Sequence, residues 1–269
     1  MWYVSTRGMA PRVDFEGALF SGYAPDGGLY MPEELPQLDR ETLRQWSVVS
    51  YPSLVKELCS LFIGPELIPR DDLNDLIDRA FSRFRHKEVV HLSRLRNGLN
   101  VLELWHGVTY AFKDLSLCCA ARFLQYFLEK RKKHITVVVG TSGDTGSAAI
   151  ESVQGAENVD LIVLLPKGRC TKIQELQMTT VLRENVHVFG VEGNSDELDE
   201  PIKAVPDSHP SDPETCQLSE AVTSQSVSDE AITQTMGRCW EENRYLLCPH
   251  SAVAVSYHYQ QADRRQPRY

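Results

Sequence analysis

Lys113 is the first residue whose position could support chemistry, because it stands where a helix is predicted to begin. It follows the segment 106–112 and precedes Asp114. The positive end of a helix dipole disfavours a cation by about 0.3–1 kcal/mol, and the neighbouring Ala111 and Phe112 would desolvate the amine. Both effects favour a nucleophile suited to Schiff-base formation. The alternative, favoured by spacing alone, is a surface lysine beside a helix-capping Asp114.

The second candidate is a loop of small residues, 140–147, between a predicted strand and a predicted helix. Its glycines allow close approach of the backbone, its hydroxyls offer donors, and a helix beginning near Gly146 would point free N–H groups at an anion. It is not a Walker A loop, because no Gly-Lys-Ser/Thr follows. A tight strand-to-helix connection explains the loop equally well. The loop consists of Gly140, Thr141, Ser142, Gly143, Asp144, Thr145, Gly146 and Ser147.

Other polar residues near these loops favour structural roles. His106 is predicted to be a packing or hydrogen-bonding residue, since a lone histidine usually is. Cys118 and Cys119 lie in the apolar part of a predicted helix and are expected in the core. The basic cluster 130–133 falls at the end of that helix, where positive charge offsets the dipole.

The elements that must position both loops alternate between strand and helix. Strands are predicted over 101–104, 135–139, 161–165 and 186–189, and helices over about 114–130, from near 146, and over 172–182. Continuous β-branched strands between amphipathic helices indicate an α/β fold with a parallel sheet covered by helices on both faces. Ligands bind such sheets at the carboxyl ends of the strands, which is where the two loops would lie.

A small, mainly helical region is predicted before the sheet, over residues 39–85. Apolar residues recur there at helical spacing after Pro69 and the acidic pair Asp71 and Asp72. These residues are Leu73, Leu76, Ile77, Ala80 and Phe81.

Charge is unevenly distributed along the 269 residues. The formal charge is −9, yet residues 191–230 hold eleven acids and one base, so the remainder of the chain is +1. This acidic balance argues against a nucleic-acid binder, and the proline-containing window is predicted to be a linker or frayed segment.

Seven cysteines without CxxC spacing argue against a disulfide scaffold or a zinc site. With no signal-peptide pattern and no membrane-spanning run, cytosol is the predicted compartment.

Three motifs in order resemble the threonine synthase family of pyridoxal-phosphate (PLP) enzymes of fold type II, and more closely its threonine synthase-like phospho-lyases. They are Tyr-Ala-Pro-Asp-Gly-Gly-Leu-Tyr-Met-Pro at 23–32, the segment 106–114, and Thr-Ser-Gly-Asp-Thr-Gly at 141–146. The resemblance covers about residues 1–204 and returns at 245–254. Val108 stands where proline is usual in the family. The chain is accordingly divided into a threonine-synthase-like region (1–95), a partial PLP-enzyme domain (96–204) and an acidic junction with a C-terminal remnant (205–269), whose order the sequence leaves open.

This resemblance implies a chemistry for both candidate loops. Lys113 would hold PLP covalently and later take the α-proton of the substrate, and residues 141–145 would bind the substrate. The family eliminates phosphate from an O-phosphorylated hydroxy-amino acid such as O-phosphothreonine or O-phosphohomoserine. The products of the phospho-lyases are 2-ketobutyrate, ammonia and phosphate.

One part of the family pattern is missing. Family members carry a Gly-x-x-Gly-Asn loop for the cofactor phosphate, and residues 191–269 contain only Gly193 and Gly237. An internal deletion, as from alternative splicing, accounts for this and would expose apolar edges and faces of the sheet. PLP would then be held weakly, so the predicted activity is impaired and enzyme status stays open.

The alternative hypothesis is a non-catalytic splice product. Such a chain would bind a protein partner through the surface that the deletion exposes, or act as a secreted, cytokine-like factor exported by a non-classical route. A nonfunctional product that is degraded is the plainest possibility of this kind.

Overall fold

The computed structural model describes residues 1–194, 197–198 and 226–260. By contacts within the chain these residues form two units. The first comprises the described residues of Met1–Val90 and Leu104–Pro210, and the second those of His91–Glu103 and Ser211–Tyr269. Most of the acidic window 191–230, including the predicted junction, lies outside the described residues.

The first unit begins with a two-stranded antiparallel sheet and four helices. In chain order these are β1 (Tyr3–Ser5), α1 (Phe15–Phe20), β2 (Tyr30–Pro32), α2 (Arg40–Trp46), α3 (Tyr51–Phe62) and α4 (Arg70–Phe81). The predicted helical region is confirmed. All five apolar residues predicted for the face of α4 are buried, and Pro69 occupies its N-cap position.

The parallel sheet predicted for the first unit is confirmed. Its elements are α5 (Asp114–Arg131), β5 (Ile135–Gly140), α6 (Asp144–Val153), β6 (Val159–Pro166), α7 (Lys172–Thr179) and β7 (Val186–Val191). The strand order is β5-β6-β7, and both pairs are parallel. Every second residue of β6, such as Leu161 and Val163, is buried against Ile150 of α6 and Met178 of α7.

Helices α6 and α7 pack on one face of this sheet. The crossovers β5-α6-β6 and β6-α7-β7 step in the same direction across the sheet, so right-handed connections place both helices on the same side. The opposite face, here called the open face, has Val138 44% exposed and Phe189 54% exposed. Ile162 and Leu164 lie between them in the register. The predicted exposure of apolar sheet surface is therefore confirmed.

The second unit is an antiparallel hairpin with two helices. Its elements are β3 (His91–Arg94), a 3₁₀ turn (Arg96–Gly98), β4 (Asn100–Glu103), α8 (Asp229–Asn243) and α9 (Pro249–Gln260). Its core contains Leu99, Cys239 and Leu247, with Val101 packed against them.

One prediction needs correction here. The strand at 101–104 exists as β4, but it pairs with β3 and is not part of the parallel sheet, because its alternating exposure suits a half-covered antiparallel strand. The described part of the predicted remnant, 226–260, forms two helices, because their apolar residues share a core with the hairpin.

Among the described residues, no helix is long and apolar enough to cross a membrane. The same residues contain no group of three or more His, Cys, Asp or Glu side chains arranged to hold a metal ion.

Candidate functional site

Lys113 lies at the N-cap position of α5, where the prediction placed it. Its side chain is half-buried, and its Nζ lies 4.4 Å from the centre of the Phe112 ring, an arrangement that suits a cation–π contact. Among the described residues, no group forms a hydrogen bond or an ion pair with this amine. Lys113 is thus accessible and uncommitted, as a nucleophilic or cofactor-holding lysine must be.

The carboxylate of Asp114 holds the loop that precedes Lys113. Its Oδ2 accepts a hydrogen bond from the backbone N–H of Thr109 and its Oδ1 accepts one from the Thr109 hydroxyl, both at 2.8 Å. Asp114 is only 4% exposed. Its buried carboxylate therefore holds the loop that precedes Lys113. The alternative considered from the sequence was that Asp114 caps the helix.

A second carboxylate and an arginine lie near Asp114. Burial raises the pKa of Asp114, while the hydrogen bonds from Thr109 and the charge of Arg83 lower it. Arg83, which follows α4, forms an ion pair with Glu151 of α6 and donates from Nη1 to the Glu151 carbonyl oxygen at 3.0 Å. Burial also raises the pKa of Glu151, as does the charge of Asp114. The carboxylate of Asp114 is therefore influenced by the charge of Arg83, whose ion-pair partner is Glu151.

His106 is a packed, hydrogen-bonded residue, as predicted. It is 4% exposed, and its Nδ1 lies 2.5 Å from the carbonyl oxygen of Glu88. Its ring also stacks on His86, with centroids 3.7 Å apart. Cys119 is buried in the core beside the half-buried Cys118, which confirms that prediction as well.

The loop at the end of β5 is organised by the hydroxyl of Thr141. Thr141 is 4% exposed, and its Oγ1 accepts the backbone N–H groups of Gly143 and Gly146, each at 2.9 Å. Gly143 has a φ of 148°, and a Cβ there would lie 2.5 Å from the side chain of Gln174. Glycine is therefore required for this turn.

The remaining residues of this loop face outward. Ser142 and Asp144 are exposed and Thr145 is half-buried. Gln174 of α7 donates from Nε2 to Oδ1 of Asp144 at 2.8 Å. No described group accepts a hydrogen bond from the backbone N–H of Asp144 or of Thr145, so two donors at the start of α6 are open to an anion. The loop thus offers two backbone donors at the start of α6, whereas the hydroxyl of Thr141 is used within the loop itself.

The two candidate loops belong to the same unit, since α5 and α6 pack against each other. No hydrogen bond, ion pair or ring contact between described residues joins Lys113 to residues 141–145. The structure also places a cavity of about 250 Å³ elsewhere, between α4 and α5, lined in part by Arg79, Arg122 and Tyr126.

Sequence reasoning missed four residues that shape these loops: Arg83, Thr109, Glu151 and Gln174. Thr109 lies inside the recognised segment 106–114, so it could have been found there. The other three come from distant parts of the chain, and no local pattern marks them.

Comparison with known proteins places the chain in a family. Residues 2–81 match the family described as threonine synthase N terminus. Threonine synthase-like 2 of Pongo abelii is 56% identical over 409 aligned positions, which cover 99% of this chain and 84% of the relative. The solved threonine synthase from yeast has a TM-score of 0.69 and 43% identity, over 76% of this chain and 43% of its own. The structure of PLP-bound threonine synthase from Brucella melitensis has a TM-score of 0.69 and 42% identity, over 76% and 44%.

Two facts about length follow from these matches. This chain spans less than half the length of the two solved structures. The 409 aligned positions exceed the 269 residues of the chain, so at least 140 positions of the Pongo abelii protein have no counterpart here. The predicted family and the predicted incomplete α/β fold are both confirmed, and the chain belongs to the threonine synthase family, in the group named threonine synthase-like 2.

Proposed function

We propose that this chain is a PLP-dependent phospho-lyase homologue with impaired activity, in which Lys113 holds the cofactor covalently. The substrate class is an O-phosphorylated hydroxy-amino acid, either O-phosphothreonine or O-phosphohomoserine. The net reaction consumes one water and releases 2-ketobutyrate, ammonia and phosphate. The observation that carries the proposal is the accessible amine of Lys113, which no described carboxylate neutralises.

The described residues fit the aldehyde end of PLP. An amine at a helix N-terminus, beside an aromatic ring and without an ion-pair partner among the described residues, can condense with an aldehyde. When bound, PLP supplies an electron sink for carbanion chemistry. Lys113 would also accept the α-proton of the substrate at Nζ, which is the role that the resemblance to the family implies for it.

The loop after β5 would hold the substrate carboxylate. The open backbone N–H groups of Asp144 and Thr145 and the exposed hydroxyl of Ser142 are donors at the positive end of α6. Gly143 lets the backbone take the turn that presents them, and Thr141 holds the turn closed. These five residues are the proposed substrate site.

The phosphate end of PLP has no comparable partner in the sequence. The Gly-x-x-Gly-Asn loop expected by resemblance does not occur between residue 191 and the end of the chain. A cofactor held at one end would be poorly oriented, and rate depends steeply on orientation. This is the reason for proposing weak binding and slow turnover.

The test is to incubate the purified full chain with PLP, reduce with borohydride, and map the adduct by peptide mass spectrometry. The Lys113 nitrogen bonds to the aldehyde carbon with loss of water, and hydride then reduces the C=N bond to a stable secondary amine. We expect the adduct predominantly on Lys113, with slow release of phosphate from O-phosphothreonine.

Lys172 provides the matched control. It also occupies the first turn of a helix in the same unit, but its Nζ lies 3.9 Å from Glu175 Oε1. Lys113→Ala should abolish the dominant adduct, and Lys172→Ala should leave it unchanged. An adduct spread evenly over exposed lysines would contradict the proposal.

The compartment and the partners are also proposals. The composition supports a cytosolic protein with no nucleic-acid or membrane partner, and the resemblance to the family supports a small phospho-amino acid as the ligand. The open face is the surface proposed for a protein partner in the non-catalytic alternative. Detection of the chain in conditioned medium, with an effect on cells that persists in Lys113→Ala, would favour that alternative.

A further inference from the structure

We propose that Asp114 is the positioning residue of Lys113: its carboxylate restrains the loop 107–113 and so sets the direction in which the amine is presented. The identity of the aldehyde that Lys113 takes rests on the proposed function, but the restraint itself does not. Asp114 is not proposed to touch cofactor or substrate.

Both oxygens of the carboxylate are used within the loop. Thr109 provides both donors, the backbone N–H to Oδ2 and the hydroxyl to Oδ1, each at 2.8 Å. Hydrogen bonds to an ionised acceptor are stronger and more directional than neutral ones. A pair of them from one residue fixes the orientation of the loop as well as its distance from α5.

Steric contact holds the other end of the loop against the same side chain. A Cβ at Gly107 would lie 2.3 Å from Oδ2 and 2.5 Å from Cβ of Asp114. No larger residue fits at position 107 while the carboxylate keeps its place. The loop therefore contacts the Asp114 side chain at two positions, Gly107 and Thr109.

The backbone between these contacts is conformationally unusual. Tyr110 has a φ of 62°, in the left-handed region, although its side chain is 73% exposed and so gains little from packing. The turn is closed by hydrogen bonds from Tyr110 N–H to Gly107 O at 3.3 Å and from Asp114 N–H to Ala111 O at 3.1 Å. The contacts with Asp114 are what keep a non-glycine residue in this conformation.

Burial raises the pKa of Asp114, whereas the hydrogen bonds from Thr109 and the charge of Arg83 lower it. Arg83 itself forms an ion pair with Glu151 of α6. The restraint on the Lys113 loop therefore rests on the two hydrogen bonds from Thr109 and on the close contact with Gly107.

The experiment compares Asp114→Asn with Thr109→Val and Thr109→Ser in the full chain. Asparagine keeps the shape but can accept only through one oxygen, and valine keeps the backbone donor but removes the hydroxyl. Serine keeps both donors. Asp160→Asn is the control, since Asp160 pairs with His134 and lies outside this loop.

Two labels are measured on each variant by peptide mass spectrometry, as the ratio of Lys113 to Lys172. PLP with borohydride reports how selectively Lys113 is presented to a large aldehyde. Formaldehyde with borohydride reports simple access to the amine, because it requires no particular direction of approach.

We expect Asp114→Asn to lower the PLP ratio about tenfold and to raise the formaldehyde ratio about threefold, since a released loop exposes the amine but no longer directs it. Thr109→Val should also lower the PLP ratio and raise the formaldehyde ratio, but by smaller factors than Asp114→Asn. Thr109→Ser and Asp160→Asn should match the unsubstituted chain. If Asp114→Asn does not fold, Thr109→Val provides the comparison.

The two labels separate the two proposals. If the unsubstituted chain shows no PLP preference for Lys113, the proposed function fails, and the formaldehyde ratio alone decides whether Asp114 restrains the amine. A formaldehyde ratio that stays the same in folded Asp114→Asn and Thr109→Val overturns the positioning role. So does an equal change in Asp160→Asn, which would indicate a general loss of stability.

Discussion

Gly146 donates its backbone N–H to the hydroxyl oxygen of Thr141 at 2.9 Å, across the turn between β5 and α6. The same oxygen accepts the N–H of Gly143, so one side chain closes both the loop and the first turn of the helix. The exposed residues between them are presented by a loop that is held from inside. A threonine at the buried start of the loop therefore stabilises the turn, while the exposed residues that follow it stay available to solvent.

Thr141→Val should destabilise the first unit by about 2 kcal/mol. Valine has nearly the same shape but leaves two buried N–H groups without their acceptor. Thr141→Ser keeps the hydroxyl and should cost less. Urea denaturation followed by circular dichroism measures the difference, and equal midpoints for valine and serine would contradict this account.

Gly146→Ala should be destabilising by about 1–3 kcal/mol, although alanine is the better helix former. Its Cβ would lie 2.6 Å from both Met178 Sδ and Thr141 Cγ2, so a packed core must shift. Gly237→Ala in α8 provides the contrast, because a Cβ there meets nothing within 4 Å. That substitution should stabilise α8 by about 1 kcal/mol. Thermal unfolding tests both predictions: the melting temperature should fall in Gly146→Ala and rise in Gly237→Ala.

The hydroxyl of Tyr245 makes the second unit sensitive to alkaline pH. It donates to Glu103 Oε1 at 2.8 Å, and burial, followed by this hydrogen bond, raises the pKa of Tyr245 to about 12. A pKa raised above its value of about 10 in the unfolded chain gives stability that is fully present below pH 10 and is lost as the pH rises through 12.

Tyr245→Phe should therefore cost about 1 kcal/mol at pH 8 and remove that loss at high pH. Tyr257→Phe, at an exposed tyrosine of α9, is the control. Unfolding is followed at pH 8 to 11, and the ionisation of Tyr245 by absorbance near 295 nm. An ionisation of Tyr245 near pH 10 would refute the prediction.

The cysteines should differ widely in reactivity. Among the cysteines that the structure describes, Cys248 is exposed and should be alkylated first, whereas Cys119 and Cys239 are buried and should react only on unfolding. Burial raises the pKa of Cys59 to about 11, so only about 0.1% of it is thiolate at pH 8. Iodoacetamide labelling with peptide mass spectrometry, at pH 7 to 9, gives the order directly. Rapid labelling of Cys119 in the folded chain would show that its environment is not as described.

The open face should bind apolar dyes. Val138 and Phe189 are about half exposed on a sheet surface whose central strand is also apolar. Surfaces of this kind are usually covered in soluble proteins. The chain should therefore enhance the fluorescence of anilinonaphthalene sulfonate, and Phe189→Ser should reduce the enhancement with little loss of stability. Leu182→Ser, at a residue 93% exposed outside the sheet, is the control.

Local patterns were sufficient for most elements of the first unit. The spacing of Leu73, Leu76 and Ile77 predicted the buried face of α4, and the β-branched runs predicted β5, β6 and β7. The recognised motifs placed Lys113 at the start of α5 and a glycine-containing loop at the end of β5. These features depend on periodicity and on backbone requirements of single residues, which the sequence carries without reference to distant parts of the chain.

Other features were decided only by the tertiary structure. Nothing near 100–103 distinguishes a strand of the parallel sheet from one that pairs with β3, because both alternatives satisfy the same backbone hydrogen bonds. The helices lie on one face because the strand order is sequential, and strand order is a long-range property. The ion pair of Arg83 with Glu151 joins residues 68 positions apart, so only the folded chain brings that guanidinium and a second carboxylate beneath the loop of Lys113.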